Sequence, residues 1–336
     1  MPEDLAYYAA AASRIAPYVR RTPLFTARVD GRKVSFKLEN LQVAGVFKIR
    51  GAVNALLAQR EATASGRGAD AGADERVVTA SGGNHGLGVA TAARWLGVPA
   101  TVYVPETVPD IKAARIAAAG ADVVKTGRVY AEAERAAREF AADQGLYYVH
   151  AYDDPAVVAG QGTVGLEIEA DLPECEVVAV PVGGGGLLAG VSGALAAIDR
   201  AADVGAGPAA GPGLRTVIGV EPEGCPTLHA AVEAGEPVDV GADSVAASAL
   251  GAARAGDLAL AAYRANPVGL ALVSDKEIVA ARDRLWEEFR LAVEPAAATV
   301  FAAWLSGQVP GARPCLVLSG ANAAWTPGAV INRRDR

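Results

Sequence analysis

Residues 177–198 read VVAVPVGGGGLLAGVSGALAAI and carry no charged side chain. Valines dominate the first six positions, which predicts a buried strand from Glu176 to Val182. Four glycines, 183–186, end that strand, and the apolar run after them predicts a helix. A stretch of this length could cross a bilayer, but Pro181 and the glycines would break a spanning helix in its middle. The stretch therefore predicts the strand–turn–helix unit of a parallel sheet.

The same alternation of strand and helix runs through the rest of the chain. It implies an α/β fold with parallel strands and right-handed crossovers. A stretch rich in Ala, Gly, Ser and Asp, residues 61–75, is predicted to be a loop or linker. The predicted strands are 34–39, 76–80, 100–104, 121–125, 176–182, 216–221 and 315–318, and the main predicted helices are 48–59, 87–95, 110–119, 130–144, 162–170, 275–290 and 296–305.

The length and composition indicate a folded chain of about two domains. Its 336 residues are 51% hydrophobic and 21% charged, enough apolar material for a sizeable core. A formal net charge of −7 argues against nucleic acid or an anionic membrane as partner. Cys175, Cys225 and Cys315 are odd in number and widely spaced, which suits neither a disulfide framework nor a zinc site. Because the N-terminus is acidic, we expect no secretory signal and a cytoplasmic protein.

A lysine stands among apolar residues in Gly45-Val46-Phe47-Lys48-Ile49-Arg50-Gly51, at the start of a predicted helix. Burial would favour the neutral amine of Lys48, which is the form that attacks carbonyl groups. The alternative is a structural lysine whose ammonium reaches out of the core into water.

The glycine loop, residues 183–186, is predicted to bind phosphate. Glycines let the backbone approach a ligand closely, and a helix N-terminus supplies unpaired N–H groups and partial positive charge. The alternative is an ordinary flexible turn. A second strand–turn–helix, Ser81-Gly82-Gly83-Asn84-His85-Gly86, carries polar side chains that suit a substrate carboxylate. There the alternative is a simple helix cap, with His85 a structural residue because no Asp partner is evident.

A third strand ends at Ser319, followed by Gly320-Ala321-Asn322. A hydroxyl here suits the pyridine nitrogen of a cofactor, although a Ser in a β-turn is the simpler explanation. A neutral hydroxyl makes a weaker electron sink than a carboxylate would, which favours elimination or isomerisation over transamination. A reactive amine, a polar turn, a phosphate-sized loop and this strand end together predict a pyridoxal 5'-phosphate site.

Taken together, the motifs closely resemble the serine/threonine dehydratase and serine racemase family of fold type II pyridoxal-phosphate enzymes. The resemblance runs from Arg21 to Asn322 and includes Gly160-Gln161-Gly162-Thr163. It implies two open twisted sheets flanked by helices, as in tryptophan synthase β. It also implies a large cofactor-binding domain (1–52 and 155–336), a small domain (53–154), a homodimer and an amino-acid substrate.

The resemblance also assigns roles to individual residues. Lys48 would carry the cofactor as a Schiff base and act as the catalytic base, with Phe47 against it. The other cofactor contacts would be Asn84 (ring oxygen), Gly183, Gly184, Gly185, Gly186 and Leu187 (phosphate) and Ser319 (ring nitrogen). The substrate carboxylate would be bound by Ser81, Gly82, Gly83, Asn84 and His85.

Departures from the family pattern bear on the reaction. Gly82 stands where the racemases have a Ser that acts as a second acid/base. Glu221 matches a cation ligand of the racemases, but Thr227 replaces a carboxylate, and a hard cation wants several oxygen ligands, so no metal is predicted. Small changes at Val46, Ala297 and Ala321 are expected to alter the cavity more than the chemistry.

The sequence therefore predicts an ammonia-lyase acting on a β-hydroxy-L-amino acid, L-threonine or L-serine. The alternatives are an amino-acid racemase, β-elimination or replacement on a non-protein amino acid, and a non-catalytic cofactor-binding protein.

Overall fold

The computed structural model describes residues 4–65, 75–206 and 215–322. Within these ranges, ten strands form one sheet of six strands and one of four. The predicted α/β class, with two sheets flanked by helices, is confirmed. The strands are β1 (Leu24–Val29), β2 (Arg32–Lys37), β3 (Val77–Ala80), β4 (Ala100–Val104), β5 (Asp122–Lys125), β6 (Tyr147–Tyr148), β7 (Val177–Pro181), β8 (Thr216–Pro222), β9 (Val268–Val273) and β10 (Pro314–Val317).

The six-stranded sheet has the order β1-β2-β10-β7-β8-β9 and is parallel except at β1. Strand β1 was not predicted, and it pairs antiparallel with β2 across Asp30-Gly31. Both turn residues have positive φ, 50° and 78°. An Asp-Gly pair is the usual signal for such a two-residue hairpin turn.

The four-stranded sheet has the order β5-β4-β3-β6 and is parallel throughout. Its central strands β3 and β4 are fully buried, which explains their largely apolar and β-branched composition. Helices cover both sheets. They are α1 (Leu5–Ile15), α2 (Lys48–Ala64), α3 (Asn84–Leu96), α4 (Asp110–Ala118), α5 (Tyr130–Asp143), α6 (Pro155–Asp171), α7 (Gly186–Ala206), α8 (Thr227–Ala234), α9 (Ala247–Leu250), α10 (Asp257–Ala265), α11 (Asp275–Phe289) and α12 (Pro295–Leu305).

The predicted loop at 61–75 is wrong over its first four residues. Helix α2 continues to Ala64, because alanines favour helix there and the Glu61 carboxylate pairs with Arg14 of α1 at 2.8 Å. The part from 66 to 74 lies outside the described residues. Helix α6 begins earlier than predicted, since the Asp154 carboxylate accepts hydrogen bonds from the first N–H groups and Pro155 occupies the first helical position.

The candidate site lies at the carboxyl ends of three strands. The carboxyl end of β7 leads into Gly183, that of β3 into Ser81 and that of β10 into Ser319. Ligands of open α/β sheets bind at these strand ends. No described helix is long and apolar enough to cross a membrane.

Candidate active site

One cleft, here called the cofactor cleft, brings together every residue predicted to contact the cofactor. It lies between the ends of β7 and β10, the start of α2 and the start of α3. Its walls also include Tyr152 and Glu294, which the sequence did not single out. The predicted residues that line it are Phe47, Lys48, Asn84, Gly183, Gly184, Gly185, Gly186, Leu187 and Ser319.

Lys48 is the first residue of α2, and its side chain reaches the cleft with few polar neighbours. The Nζ atom donates a hydrogen bond to the carbonyl oxygen of Ala151 at 2.7 Å. The centroid of the Phe47 ring lies 5.2 Å from Nζ. Burial lowers the pKa of Lys48 to about 8, from an ordinary value of 10.5. A substantial fraction of this amine is therefore neutral near physiological pH.

Backbone hydrogen bonds join the lysine loop to the end of β10. The Phe47 N–H donates to the Ser319 carbonyl oxygen at 3.1 Å, and the Ala321 N–H donates to the Gly45 carbonyl oxygen at 2.9 Å. Val46 forms an isolated bridge with Gly320. These bonds hold two segments from opposite ends of the chain side by side, which explains how the amine and the Ser319 hydroxyl come to share one cleft.

The glycine loop has no room for side chains. A Cβ at Gly184 would overlap the ring of Tyr152, and one at Gly186 would lie 2.8 Å from the Tyr152 carbonyl oxygen. Gly185 has a φ of +87°, which L side chains rarely adopt. Helix α7 begins at Gly186, so its first N–H groups lie at this end of the cleft. This backbone cradle at a helix N-terminus fits a phosphate group.

The turn from Ser81 to His85 lies beside a larger cavity of about 270 Å³, here called the outer cavity. Ser81 to His85 and Lys48 line it, together with Lys112, Tyr130 and Tyr152. The Ser81 hydroxyl accepts a hydrogen bond from the Gly83 N–H at 3.2 Å, and α3 starts at Asn84. The turn thus presents the N-terminus of α3 next to Lys48, which suits a carboxylate.

The His85 side chain is buried behind this turn. Its Nε2 lies 3.1 Å from the Val149 carbonyl oxygen, and burial lowers its pKa to about 3. The ring is therefore neutral, with Nε2–H donating to the carbonyl. This arrangement agrees with the structural role expected of the imidazole and leaves the backbone of His85 for binding.

The sequence predicted no role for Glu294, which lies three residues before Ala297. Its side chain is buried in the cofactor cleft, where Oε1 accepts a hydrogen bond from Asn84 Nδ2 at 2.8 Å. Burial is the main cause that raises its pKa to about 7. The only local signal was a Glu directly before a helix-starting Pro, which ordinarily indicates a helix cap.

The Glu221 carboxylate is buried and already has internal donors. It accepts hydrogen bonds from the Thr227 hydroxyl at 2.9 Å and from the N–H groups of Leu228 at 2.7 Å and His229 at 3.0 Å. The His229 ring nitrogen Nδ1 lies 2.6 Å from it. In the described part of the chain, no three His, Cys, Asp or Glu side chains cluster in a way that could hold a metal ion.

Comparison with known proteins agrees with this geometry. Residues 15–320 match the family described as pyridoxal-phosphate dependent enzyme. An L-threonine ammonia-lyase of Geobacter sulfurreducens is 38% identical over 96% of this chain and 76% of its own length. An L-threo-3-hydroxyaspartate ammonia-lyase of Saccharomyces cerevisiae is 33% identical over 93% of this chain and 91% of its own.

A solved structure of the T.th. threonine deaminase superposes with a TM-score of 0.83 and 34% identity, covering 97% of this chain and 100% of that one. The resemblance read from the sequence motifs is thereby confirmed. The chain belongs to the pyridoxal-phosphate dependent enzyme family, with the fold type II architecture of its threonine deaminase relatives.

Proposed function

We propose that this protein is a pyridoxal-phosphate-dependent ammonia-lyase that converts a β-hydroxy-L-amino acid, L-threonine or L-serine, into a 2-oxo acid and ammonia. The observation that carries the proposal is the placement of the Lys48 amine where the cofactor cleft meets the outer cavity. The amine therefore faces both the glycine loop that fits a phosphate group and the turn from Ser81 to His85 that suits a substrate carboxylate. The ammonia-lyase activities of the two curated relatives support the same reaction type.

Different residues of the site bind the cofactor, bind the substrate and move the proton. Bound pyridoxal phosphate supplies the electron sink for charge left on the substrate α-carbon. Gly183 to Leu187 would hold its phosphate, Ser319 would meet its ring nitrogen and Asn84 would meet its ring oxygen. The N–H groups from Ser81 to His85 bind the substrate carboxylate, and the Lys48 amine removes the α-proton. A base placed in this way contributes roughly 10²–10⁴-fold to the rate.

An amino-acid racemase is the second candidate, and Gly82 argues against it. A racemase needs a second proton donor on the face opposite Lys48, and glycine carries none. The structure adds that a Cβ at Gly82 would lie 2.6 Å from Cγ2 of Val108. This wall is thus built for a residue without a side chain. Gly82 therefore favours elimination over racemisation.

The test is an assay of purified holoenzyme with L-threonine, L-serine, 3-hydroxyaspartate and phenylserine, following 2-oxo acid by coupled reduction. We expect turnover with at least one of these substrates and little change in substrate chirality. Absence of turnover with all four would contradict the proposal. Added thiols that trap the enamine product in place of hydrolysis would instead indicate β-replacement, and bound cofactor without any spectral response to amino acids would indicate a non-catalytic binding protein.

Lys48→Ala tests the cofactor link separately from turnover. We expect it to abolish the visible absorption band of bound cofactor while the fold, measured by circular dichroism, is retained. Lys33→Ala, at an exposed lysine of β2, is the control and should keep the band. An unchanged band in Lys48→Ala would mean that another lysine carries the cofactor.

We also propose a large cofactor-binding domain (1–52 and 155–336), a small domain (53–154), a cytoplasmic location and a homodimer. The placement of Ser81 to His85 on the four-stranded sheet, opposite Gly183 and Ser319 on the six-stranded one, supports the division into domains. Analytical ultracentrifugation of the holoenzyme would test the dimer.

A further inference from the structure

Glu294 is a buried carboxyl group that the proposed reaction does not use. It directly precedes α12, and it lines the cofactor cleft together with Asn84 and Ser319. Only 3% of the residue is exposed. A buried carboxyl group is costly unless it is hydrogen-bonded or has a role that justifies it. Its hydrogen bond from a side chain is the one donated by Asn84 Nδ2, at 2.8 Å.

The same Asn84 amide is held at its other end. Asn84 Oδ1 accepts a hydrogen bond from Asn322 Nδ2 at 3.1 Å, and Asn322 Nδ2 also donates to the Ala44 carbonyl oxygen at 3.0 Å. The two contacts fix which end of the Asn84 amide carries the nitrogen. One N–H of that nitrogen is used by Glu294, and the other is left for a ligand in the cleft.

Two glycines make room for this arrangement. A Cβ at Gly320 would lie 2.6 Å from Glu294 Oε1, and a Cβ at Gly45 would lie 3.1 Å from Asn322 Oδ1. Both glycines flank the backbone bonds that join the lysine loop to the end of β10. The Glu294–Asn84–Asn322 chain is therefore built into the junction that also positions Lys48.

We propose that Glu294 is a positioning residue that, together with Asn322, holds the Asn84 amide with its free N–H toward the ring oxygen of bound pyridoxal phosphate. Without these partners the Asn84 amide can flip and present its oxygen to the ring oxygen. Two oxygen acceptors facing each other repel. The proposal rests on the proposed assignment of Asn84 to that ring oxygen.

The carboxyl group also adds a charge that responds to pH. Burial raises the pKa of Glu294 to about 7, against the opposing effects of the Asn84 hydrogen bond, the Lys112 ammonium on α4 and the Asn322 backbone N–H. Lys48 is the other charged side chain that lines the cofactor cleft. As Glu294 ionises, negative charge develops beside the Asn84 contact. This charge would disfavour negative charge on the ring oxygen of a bound cofactor, so a proton shared between that oxygen and the Lys48 nitrogen would move toward the oxygen.

The test compares Glu294→Ala, Glu294→Gln and Asn322→Ala, with Glu287→Gln as the control at an exposed carboxylate of α11. Cofactor affinity is measured by fluorescence titration, and the ratio of the two cofactor absorption bands is followed from pH 5 to 9, all without substrate. We expect Glu294→Ala and Asn322→Ala to bind the cofactor roughly tenfold more weakly and to change the band ratio.

Glu294→Gln keeps an acceptor for Asn84, so it should bind within about threefold of the unmodified protein while losing the change in band ratio near neutral pH. Glu287→Gln should match the unmodified protein in both measurements. Unchanged affinity and band ratio in Glu294→Ala and Asn322→Ala would overturn the proposal. If Glu294→Ala and Glu294→Gln lost cofactor affinity and melting temperature to the same extent, the role of Glu294 would be purely structural. That result would also overturn the proposal.

Failure of this inference is distinguishable from failure of the proposed function. If Lys48→Ala abolishes the band while the Glu294 and Asn322 variants behave like the unmodified protein, only the positioning role is wrong. If the unmodified protein forms no band with Lys48, the proposed function itself is wrong.

Discussion

The backbone N–H of Phe47 donates to the carbonyl oxygen of Ser319 at 3.1 Å. This bond joins the residue before Lys48 to the residue proposed to meet the ring nitrogen, although the two lie near opposite ends of the chain. Displacing either segment would move both the amine and the hydroxyl. The spacing of the two groups is therefore a property of the backbone and does not depend on contacts between their side chains.

The rate at which Lys48 takes up the cofactor should depend on pH with a midpoint of about 8. Attack on an aldehyde requires the neutral amine, and burial lowers the pKa of Lys48 to that value from 10.5. The rate should reach half its maximum at about pH 8 and level off only above that pH. Stopped-flow absorbance of apoprotein mixed with cofactor measures it. A rate that keeps rising to pH 10 would show that the amine is not desolvated.

Gly184→Ala should weaken cofactor binding strongly, roughly tenfold or more, because a methyl group there overlaps the Tyr152 ring and forces the phosphate cradle apart. Gly241→Ala is the matched control, since a Cβ at Gly241 meets nothing within 4 Å. Fluorescence titration with pyridoxal phosphate compares the two. Equal affinities in both variants would show that the loop tolerates displacement.

Gly82→Ser alone should give little racemase activity, since its Cβ would lie 2.6 Å from Val108 Cγ2 and the turn would have to shift. Combining it with Val108→Ala removes that contact and places a hydroxyl in the outer cavity. We expect the double variant to racemise L-serine measurably faster than Val108→Ala alone. Chiral chromatography of the products checks this, and equal rates would mean that the Ser is not in reach of the α-carbon.

Arg50→Ala should destabilise the protein by roughly 3–5 kcal/mol, because it leaves a buried carboxylate unpaired. Arg50 and Glu39 are both fully buried and pair at 2.8 Å, and Glu167 also pairs with Arg50 at 2.8 Å. Arg313→Ala breaks the half-exposed pair with Glu176 and should cost much less, because solvent screens that pair. Urea unfolding of both apoproteins measures the difference, and similar costs would contradict the argument.

The stability of the apoprotein should depend on pH because of the ionisation of Glu294. Because folding raises its pKa from 4.5 to about 7, the folded state binds more protons than the unfolded state between these values. This contribution is present in full below pH 4.5, is lost as pH rises, and is gone above about pH 7. The Glu294→Gln variant lacks this contribution. The melting temperature of the variant minus that of the unmodified protein should therefore increase from pH 5 to 7 and then stay constant. A difference independent of pH would mean an ordinary carboxyl pKa.

The sequence alone determined the features that depend on neighbouring residues. An apolar run followed by glycines specifies a buried strand and a close turn in any context, so the segment before Gly183 and the strand before Ser81 were predicted within about one residue at each end. Apolar residues on both sides of Lys48 likewise indicated that its amine is desolvated, because this feature also depends on neighbouring residues. Local composition failed at residues 61–64, where a contact with Arg14 on another helix extends α2.

Only the tertiary structure decided which distant groups meet. Asn84 and Glu294 are 210 positions apart, and nothing near either residue indicates their hydrogen bond. The ring of Tyr152 against Gly184 and the methyl of Val108 against Gly82 are likewise invisible until the sheets are assembled. Chemical identity and local pattern set the parts of the site. Long-range packing set their distances, and therefore the pKa values and steric limits on which specificity depends.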